Sequence, residues 1–177
     1  ELTEEVTIST INFAKEKGIT VTFDTDEEEV YTMIDFEKYE RIILNLLSNA
    51  IKYNRENGTI TVTMSTKKNT VEVTVKDSGI GIPANEISSV FERFVQTAGV
   101  SSSNVQGSGI GLSLVKSLVE MHKGRISVSS VEGEYTEFVV SIPLIEDINI
   151  EESIETIDHN DFNANKMALV ELSDLDK

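Results

Sequence analysis

The sequence predicts an α/β fold, a two-layer sandwich in which a mixed, mainly antiparallel sheet carries helices on one face. Three observations lead there. Residues 59–66 and 70–76 alternate apolar and polar side chains across the short break Lys67–Asn69, as a β-hairpin does. Residues 125–131 and 136–142 repeat the pattern across Glu132–Tyr135. Longer stretches with helical apolar spacing lie before and between these pairs. The strand pairs therefore read as adjacent hairpins rather than βαβ crossovers, in a chain of about five strands and four helices.

In chain order, residues 4–17 set Val6, Ile8, Ile11, Phe13 and Ala14 at helical spacing, and Gly18 stops the helix. Ile19–Asp24 alternates and reads as a strand, and the acidic run Asp26–Glu29 as a solvated loop. Phe36–Tyr53 has the strongest helical pattern, with Asp35 suited to cap it. Asn57-Gly58 marks a turn before the first hairpin. Pro83–Phe94 reads as a helix opened by its proline. Thr97–Gly107 is rich in Ser, Gly and Asn without an apolar period, which predicts a mobile loop. Ile110–His122 reads as a helix closed by Gly124, and Pro143 ends the last strand. Residues 1–145 thus form one domain. Residues 146–177 read as an acidic, partly disordered extension, in which Met167–Leu172 also suits a short strand or helical turn.

Composition narrows the function. The chain has 177 residues, 39% hydrophobic and 26% charged, enough for one domain with a real core. No apolar run approaches a membrane span. A start at Glu1 reads as a piece of something longer. The absence of cysteine excludes disulfides and thiolate chemistry and suits a reducing, cytoplasmic setting. Net charge is −16, half of it within 146–177, so binding to nucleic acid through phosphates is not expected. A nucleotide site on such a chain needs local countercharge, from a metal ion and placed Lys or Arg.

Three segments carry chemistry. On the helix 36–53, Asn45, Asn49, Lys52 and Tyr53 share one arc, with Arg41 at its edge, while Ile43, Leu44, Leu46, Leu47, Ala50 and Ile51 fill the other. Two Asn four residues apart are unusual on an outer helix face, because Asn is a poor helix former. The arc suits either a polar surface stripe or a site where carboxamide oxygens meet Mg²⁺ and Lys52 meets a phosphate. Asp77-Ser78-Gly79-Ile80-Gly81 ends a strand. It suits a tight turn with a surface Asp, or a carboxylate accepting from adenine N6 beside glycines that let a flat ring approach. Gly107-Ser108-Gly109-Ile110-Gly111 opens a helix, whose N–H groups bind anions, although a flexible hinge has the same composition. It lacks the Gly-Lys-Ser/Thr of a P-loop and the preceding strand of a dinucleotide fingerprint. His122 lies in the last turn of a helix, where positive charge suits the dipole, and His159 in the acidic extension. Neither reads as catalytic.

In this order, the segments resemble the catalytic, ATP-binding domain of bacterial sensor histidine kinases, of the superfamily shared with gyrase, Hsp90 and MutL, and its Bergerat fold. Tyr39–Tyr53 resembles the N box, Asp77–Gly81 the G1 box, Phe91-Glu92-Arg93-Phe94 the F box and Gly107–Leu112 the G2 box. Gly133-x-x-Thr136-x-Phe138 resembles the closing motif, so the likeness covers residues 1 to about 145. The resemblance implies that Asn49 holds Mg²⁺, Asn45 and Lys52 meet the phosphates, Tyr53 flanks the nucleotide and Asp77 binds adenine N6. It also implies ATP contacts from Gly79, Gly81, Ile82, Phe94 and Thr136. Residues 83–107 would form the ATP lid, with Gly107, Ser108, Gly109, Gly111 and Leu112 around the triphosphate.

Two departures qualify that picture. The arginine many members carry after the F box is Gln96 here, so Arg93 or a partner is expected to supply the charge. The phosphoacceptor helix is absent from this sequence. ATP-hydrolysing relatives carry a Glu where Asn45 stands, and a carboxamide cannot take a proton from water. The resemblance therefore implies a kinase catalytic domain that donates γ-phosphate to a histidine on a separate dimerisation and phosphoacceptor domain, in a homodimeric parent that serves a response regulator. The alternatives are a nucleotide-binding module without kinase activity, and an ATPase or serine kinase of the same superfamily.

Overall fold

Strict alternation along the strands decides how the two layers meet. The computed structural model describes residues 1–26, 30, 32–95 and 109–144. Its elements are α1 (Leu2–Glu16), β1 (Thr20–Thr25), α2 (Phe36–Lys52), β2 (Thr59–Lys67), β3 (Thr70–Asp77), a short 3₁₀ turn (Ile87–Ser89), α3 (Gly111–Met121), β4 (Arg125–Val131) and β5 (Tyr135–Pro143). Every second residue of β3 and β5 is buried: Val71, Val73, Val75 and Asp77 on one, Thr136, Phe138, Val140 and Ile142 on the other. This face meets the helices, with Ile42, Ile43, Leu46, Leu47 and Ile51 of α2 at the centre of the core. Alternate residues such as Thr61, Thr63, Glu72, Thr74, Glu137 and Ser141 form the polar outer face, where Lys76 pairs with Glu137 at 3.3 Å. The expected two-layer sandwich is the observed one.

The sheet order is β1-β2-β3-β5-β4. β2–β3 and β4–β5 are the two expected hairpins, and β3 pairs antiparallel with β5. The sheet is mixed, as expected, and its parallel pair is a crossover rather than a third hairpin. β1 and β2 run parallel, from Thr20 opposite Thr59 to Thr25 opposite Met64, and α2 forms the crossover between them. Parallel neighbours cannot be joined by a tight turn. That crossover carries α2 into the middle of the helical layer, where it packs on both α1 and α3.

The expected helix over Pro83–Phe94 is absent. Successive i to i+3 bonds replace it: Glu86 N–H to Pro83 O, Ser89 N–H to Glu86 O, and Glu92 N–H to Ser89 O. Ser89 Oγ donates back to Glu86 O at 3.0 Å, the local competition that makes serine a poor helix former. The turns let Val90 reach the core and Phe91 meet Phe138 edge to face, ring centroids 6.2 Å apart. His122 links two helix ends. Its Nδ1 lies 2.8 Å from Leu118 O in the last turn of α3, and the Asp35 N–H at the start of α2 donates to its Nε2 at 3.0 Å. Asp35 caps α2 through Lys38 N–H, and Lys38 holds its carboxyl below the usual range.

Candidate functional site

Because α2 buries one arc against the sheet, its other arc must face away from the core, and it forms one wall of a cavity. Asn45, Ser48, Asn49, Lys52 and Tyr53 line that wall. Asp77, Thr136 and Phe138 close the sheet end, Ile80–Ile82 and Val90 a second side, and Gly109, Gly111 and Leu112 the mouth of α3. Three segments far apart in sequence thus meet around one space.

Asp77 is the most constrained group in it. As the last residue of β3 it falls on the buried face, between Ile60 of β2 and Thr136 of β5, and is only 6% exposed. Burial pushes its carboxyl up to about 6, opposed by hydrogen bonds from the Gly79 and Thr136 backbone. Gly79 N–H donates to Oδ1 at 2.8 Å. Such a carboxyl is ready to accept from a ligand N–H, which would restore the partner that water has lost.

The loop after Asp77 is pinned peptide by peptide. Ile80 N–H donates to Tyr53 O at 3.0 Å, Gly133 N–H to Ile80 O at 2.7 Å, and Ile82 N–H to Ser130 Oγ at 2.8 Å. Glycine is required at two points. A Cβ on Gly79 would stand 2.3 Å from Tyr53 O, and one on Gly81, where φ is +68°, would stand 2.1 Å from Val131 O.

Along the α2 wall the groups are polar and less enclosed. Asn45 Nδ2 donates to Arg41 O at 3.1 Å, and its Oδ1 lies 2.7 Å from where a Gly111 Cβ would stand. Gly111 therefore lets the N-terminus of α3, with its outward N–H groups, sit against Asn45. The Lys52 ammonium lies 5.1 Å from the Tyr53 ring centre. Partial burial lowers the Lys52 pKa and raises that of Tyr53. Among the described residues no cluster of His, Cys, Asp or Glu is built to hold a metal ion. The carboxamide of Asn49 is a hard oxygen donor on the cavity wall, which suits an ion that takes its remaining ligands from phosphate and water.

Of the residues singled out from sequence, Asn45, Asn49, Lys52, Tyr53, Asp77, Gly81, Ile82, Gly109, Gly111, Leu112 and Thr136 line this cavity. Gly79 supports it from behind. Arg93 and Phe94 do not line it: Arg93 is exposed, and Phe94 is 75% exposed with φ of 65°. The positive φ turns Phe94 outward while its N–H donates to Gly109 O at 2.9 Å, so Val95 takes the place on the wall. Gln96, Gly107, Ser108, most of the stretch read as a lid, and the extension 146–177 lie outside the described residues. The sequence reading passed over Ser48, which sits three residues after Asn45 and four before Lys52 on the same arc. It also passed over the apolar walls Ile80, Val90, Val95 and Phe138, which alternation alone cannot tell from core.

The fold is that of known proteins. The family model of histidine kinase-, DNA gyrase B- and HSP90-like ATPases matches residues 34–146. The sensor histidine kinase TmoS of Ectopseudomonas mendocina is 41% identical over 145 residues, which are 81% of this chain and 15% of TmoS. The catalytic domain of histidine kinase ThkA superposes with a TM-score of 0.71 at 28% identity, over 81% of this chain and 92% of that one. ThkA has also been solved with the response regulator TrrA, where the TM-score is 0.66 at 26% identity, over 81% of this chain and 40% of that one. Full-length ShkA in complex with AMPPNP gives a TM-score of 0.71 at 28% identity, over 81% of this chain and 29% of that one. The chain thus spans a small part of the curated relatives it matches, a quarter of one and a tenth of another. It belongs to the histidine kinase-, DNA gyrase B- and HSP90-like ATPase family and carries the catalytic-domain fold of the sensor histidine kinases.

Proposed function

We propose that this chain binds Mg-ATP in the cavity between α2, the Asp77 loop and α3, and donates the γ-phosphate to a histidine on a separate phosphoacceptor domain. The observation that carries the reading is that a buried carboxyl, Asp77, and the Asn45, Asn49 and Lys52 face of α2 line one cavity. Asp77 accepts from the adenine amine. Lys52 and the first N–H groups of α3 meet the phosphates. Asn49 would hold Mg²⁺ through its carboxamide oxygen, and the ion would neutralise charge on the phosphates.

Asn45 defines the class of reaction. Its amide cannot accept a proton from water, so position 45 offers no base for hydrolysis. In transfer, an imidazole nitrogen of the acceptor attacks the γ-phosphorus in line, and the bond to the β,γ-bridging oxygen breaks. ADP leaves, and the imidazole proton passes to a base on the acceptor domain. The chain's residues bind and orient. The parent is read as a homodimer whose phosphate passes on to a response regulator, and the complex of the related ThkA with TrrA supports that reading. No described helix is long and apolar enough to cross a membrane, and a cytoplasmic site is part of the proposal. The net charge of −16 argues against nucleic acid as partner.

The test is transfer itself. The chain, a phosphoacceptor domain and γ-labelled Mg-ATP are mixed and assayed for acid-labile, base-stable phosphate. Label on the acceptor's histidine supports the proposal. Tight ATP binding with no transfer to any acceptor would leave a binding module.

A further inference from the structure

Arg55 lies outside every motif that points to the nucleotide, two residues beyond Tyr53 on the way out of α2. Its side chain nevertheless reaches the adenine loop. One terminal nitrogen, Nη2, donates to Gly79 O at 2.9 Å and also to Gly133 O in the turn between β4 and β5. Both hydrogens of that nitrogen are thus used, on carbonyls of segments that no strand ladder joins.

The consequence follows from peptide geometry. The peptide between Gly79 and Ile80 has its carbonyl on Arg55 and its N–H on Tyr53 O, so its plane is fixed at both ends. The preceding peptide plane, joined to it through the Cα of Gly79, carries the N–H that donates to Asp77 Oδ1, so the two bonds hold the loop on either side of one residue. Arg55 also ties the loop to the turn whose Gly133 N–H holds Ile80 O. Bonds from a charged donor to carbonyls are stronger than neutral ones. Arg55 is itself exposed, so the core of the fold does not depend on it.

We propose that Arg55 is a positioning residue for base selection: it clamps the Asp77–Gly81 loop to the β4–β5 turn, so that the Asp77 carboxyl stays aimed at an exocyclic amine. The inference rests on the adenine reading above and predicts where selectivity, rather than overall affinity, is set.

Discrimination between ATP and inosine triphosphate reads this directly, because inosine replaces the amine with a carbonyl. Dissociation constants for both nucleotides are measured by calorimetry on the whole chain, on Arg55→Ala, on Asp77→Asn and on the double variant. Thermal melts confirm folding, and Arg55→Gln, which keeps an NH₂ donor, serves if the alanine variant fails to fold. Arg55→Ala is expected to lower the preference for ATP by about three- to tenfold, with inosine triphosphate affinity changed by less than about twofold. The double variant should show no further loss beyond Asp77→Asn. An unchanged preference in Arg55→Ala, or equal weakening of both nucleotides, overturns the inference while leaving the adenine reading intact. An unchanged preference in Asp77→Asn overturns the adenine reading itself.

Discussion

The two ends of the cavity are built in opposite ways. At the Asp77 end the carboxyl is buried, and the backbone around it donates to Tyr53 O and Ser130 Oγ and accepts from Gly133 N–H and Arg55. At the α3 end the described edge is formed by exposed side chains, with Phe94 at 75% and Ile110 at 44% exposure, around a glycine with φ of +67°. One end is finished by the chain's own contacts, and the other presents groups outward. The contrast matches the division of labour in the proposed reaction. Reading a base requires a rigid, desolvated partner, because selectivity comes from leaving wrong donors unpaired. In the proposed reaction the phosphoryl group passes to an acceptor on a separate domain, and the described groups at the α3 end face outward toward it.

The comparison breaks most visibly at the glycines. Gly81→Ala puts a methyl group 2.1 Å from Val131 O at a positive φ. It should cost about 2–4 kcal/mol of stability and remove measurable ATP binding. Gly111→Ala, whose methyl meets only the flexible end of Asn45, should do less to the fold, and the two melting curves compare them.

Next in size, Asp77→Asn should weaken ATP binding by about 1.5–3 kcal/mol, or roughly ten- to a hundredfold, with the fold retained. Calorimetry that returned the wild-type affinity would remove the adenine assignment.

The pH dependence sharpens the same point, because affinity and unliganded stability should move in opposite directions. The Asp77 carboxyl sits at about 6, above its ordinary 3.8. As pH falls through 6 it protonates, and a protonated carboxyl is the weaker acceptor for the amine, so ATP affinity should drop. Between about 6 and 4 the folded chain holds a proton that the unfolded chain releases, so this group adds stability as pH falls. The Asp77→Asn variant should lack both trends. If its affinity profile followed wild type through pH 6, titration of the phosphates alone would explain the drop.

The smallest effect is expected at the open end. Phe94→Ala removes a ring that is three-quarters exposed and should shift stability by less than about 0.5 kcal/mol and ATP affinity by less than about twofold. A large loss of affinity would place Phe94 on the nucleotide.

Legibility in the sequence follows the same division. The α2 arc was readable because a helix that must bury Ile43, Leu46, Leu47 and Ile51 has only one place left for Asn45, Asn49 and Lys52. Both hairpins were readable because alternation has a period of two and short turns join them. The parallel pairing of β1 with β2 was not, because nothing local in Thr20–Thr25 distinguishes a crossover partner from a hairpin partner. Pro83–Phe94 misled because proline and apolar spacing suggest a helix start, while Ser89 bonds back to Glu86 and closes a turn instead. Arg55 and Ser130 were invisible for a different reason. They act on backbone groups, and a backbone partner leaves no residue type to recognise at the other end.

The most direct measurement follows γ-labelled Mg-ATP with the whole chain, with and without a separate phosphoacceptor domain, reading ATP affinity and γ-phosphate loss in the same samples. The account predicts that the chain binds ATP equally well in both, and loses γ-phosphate at an appreciable rate only when the acceptor is present, with the label on its histidine. Steady release of free phosphate by the chain alone, at a rate comparable to transfer, would contradict it.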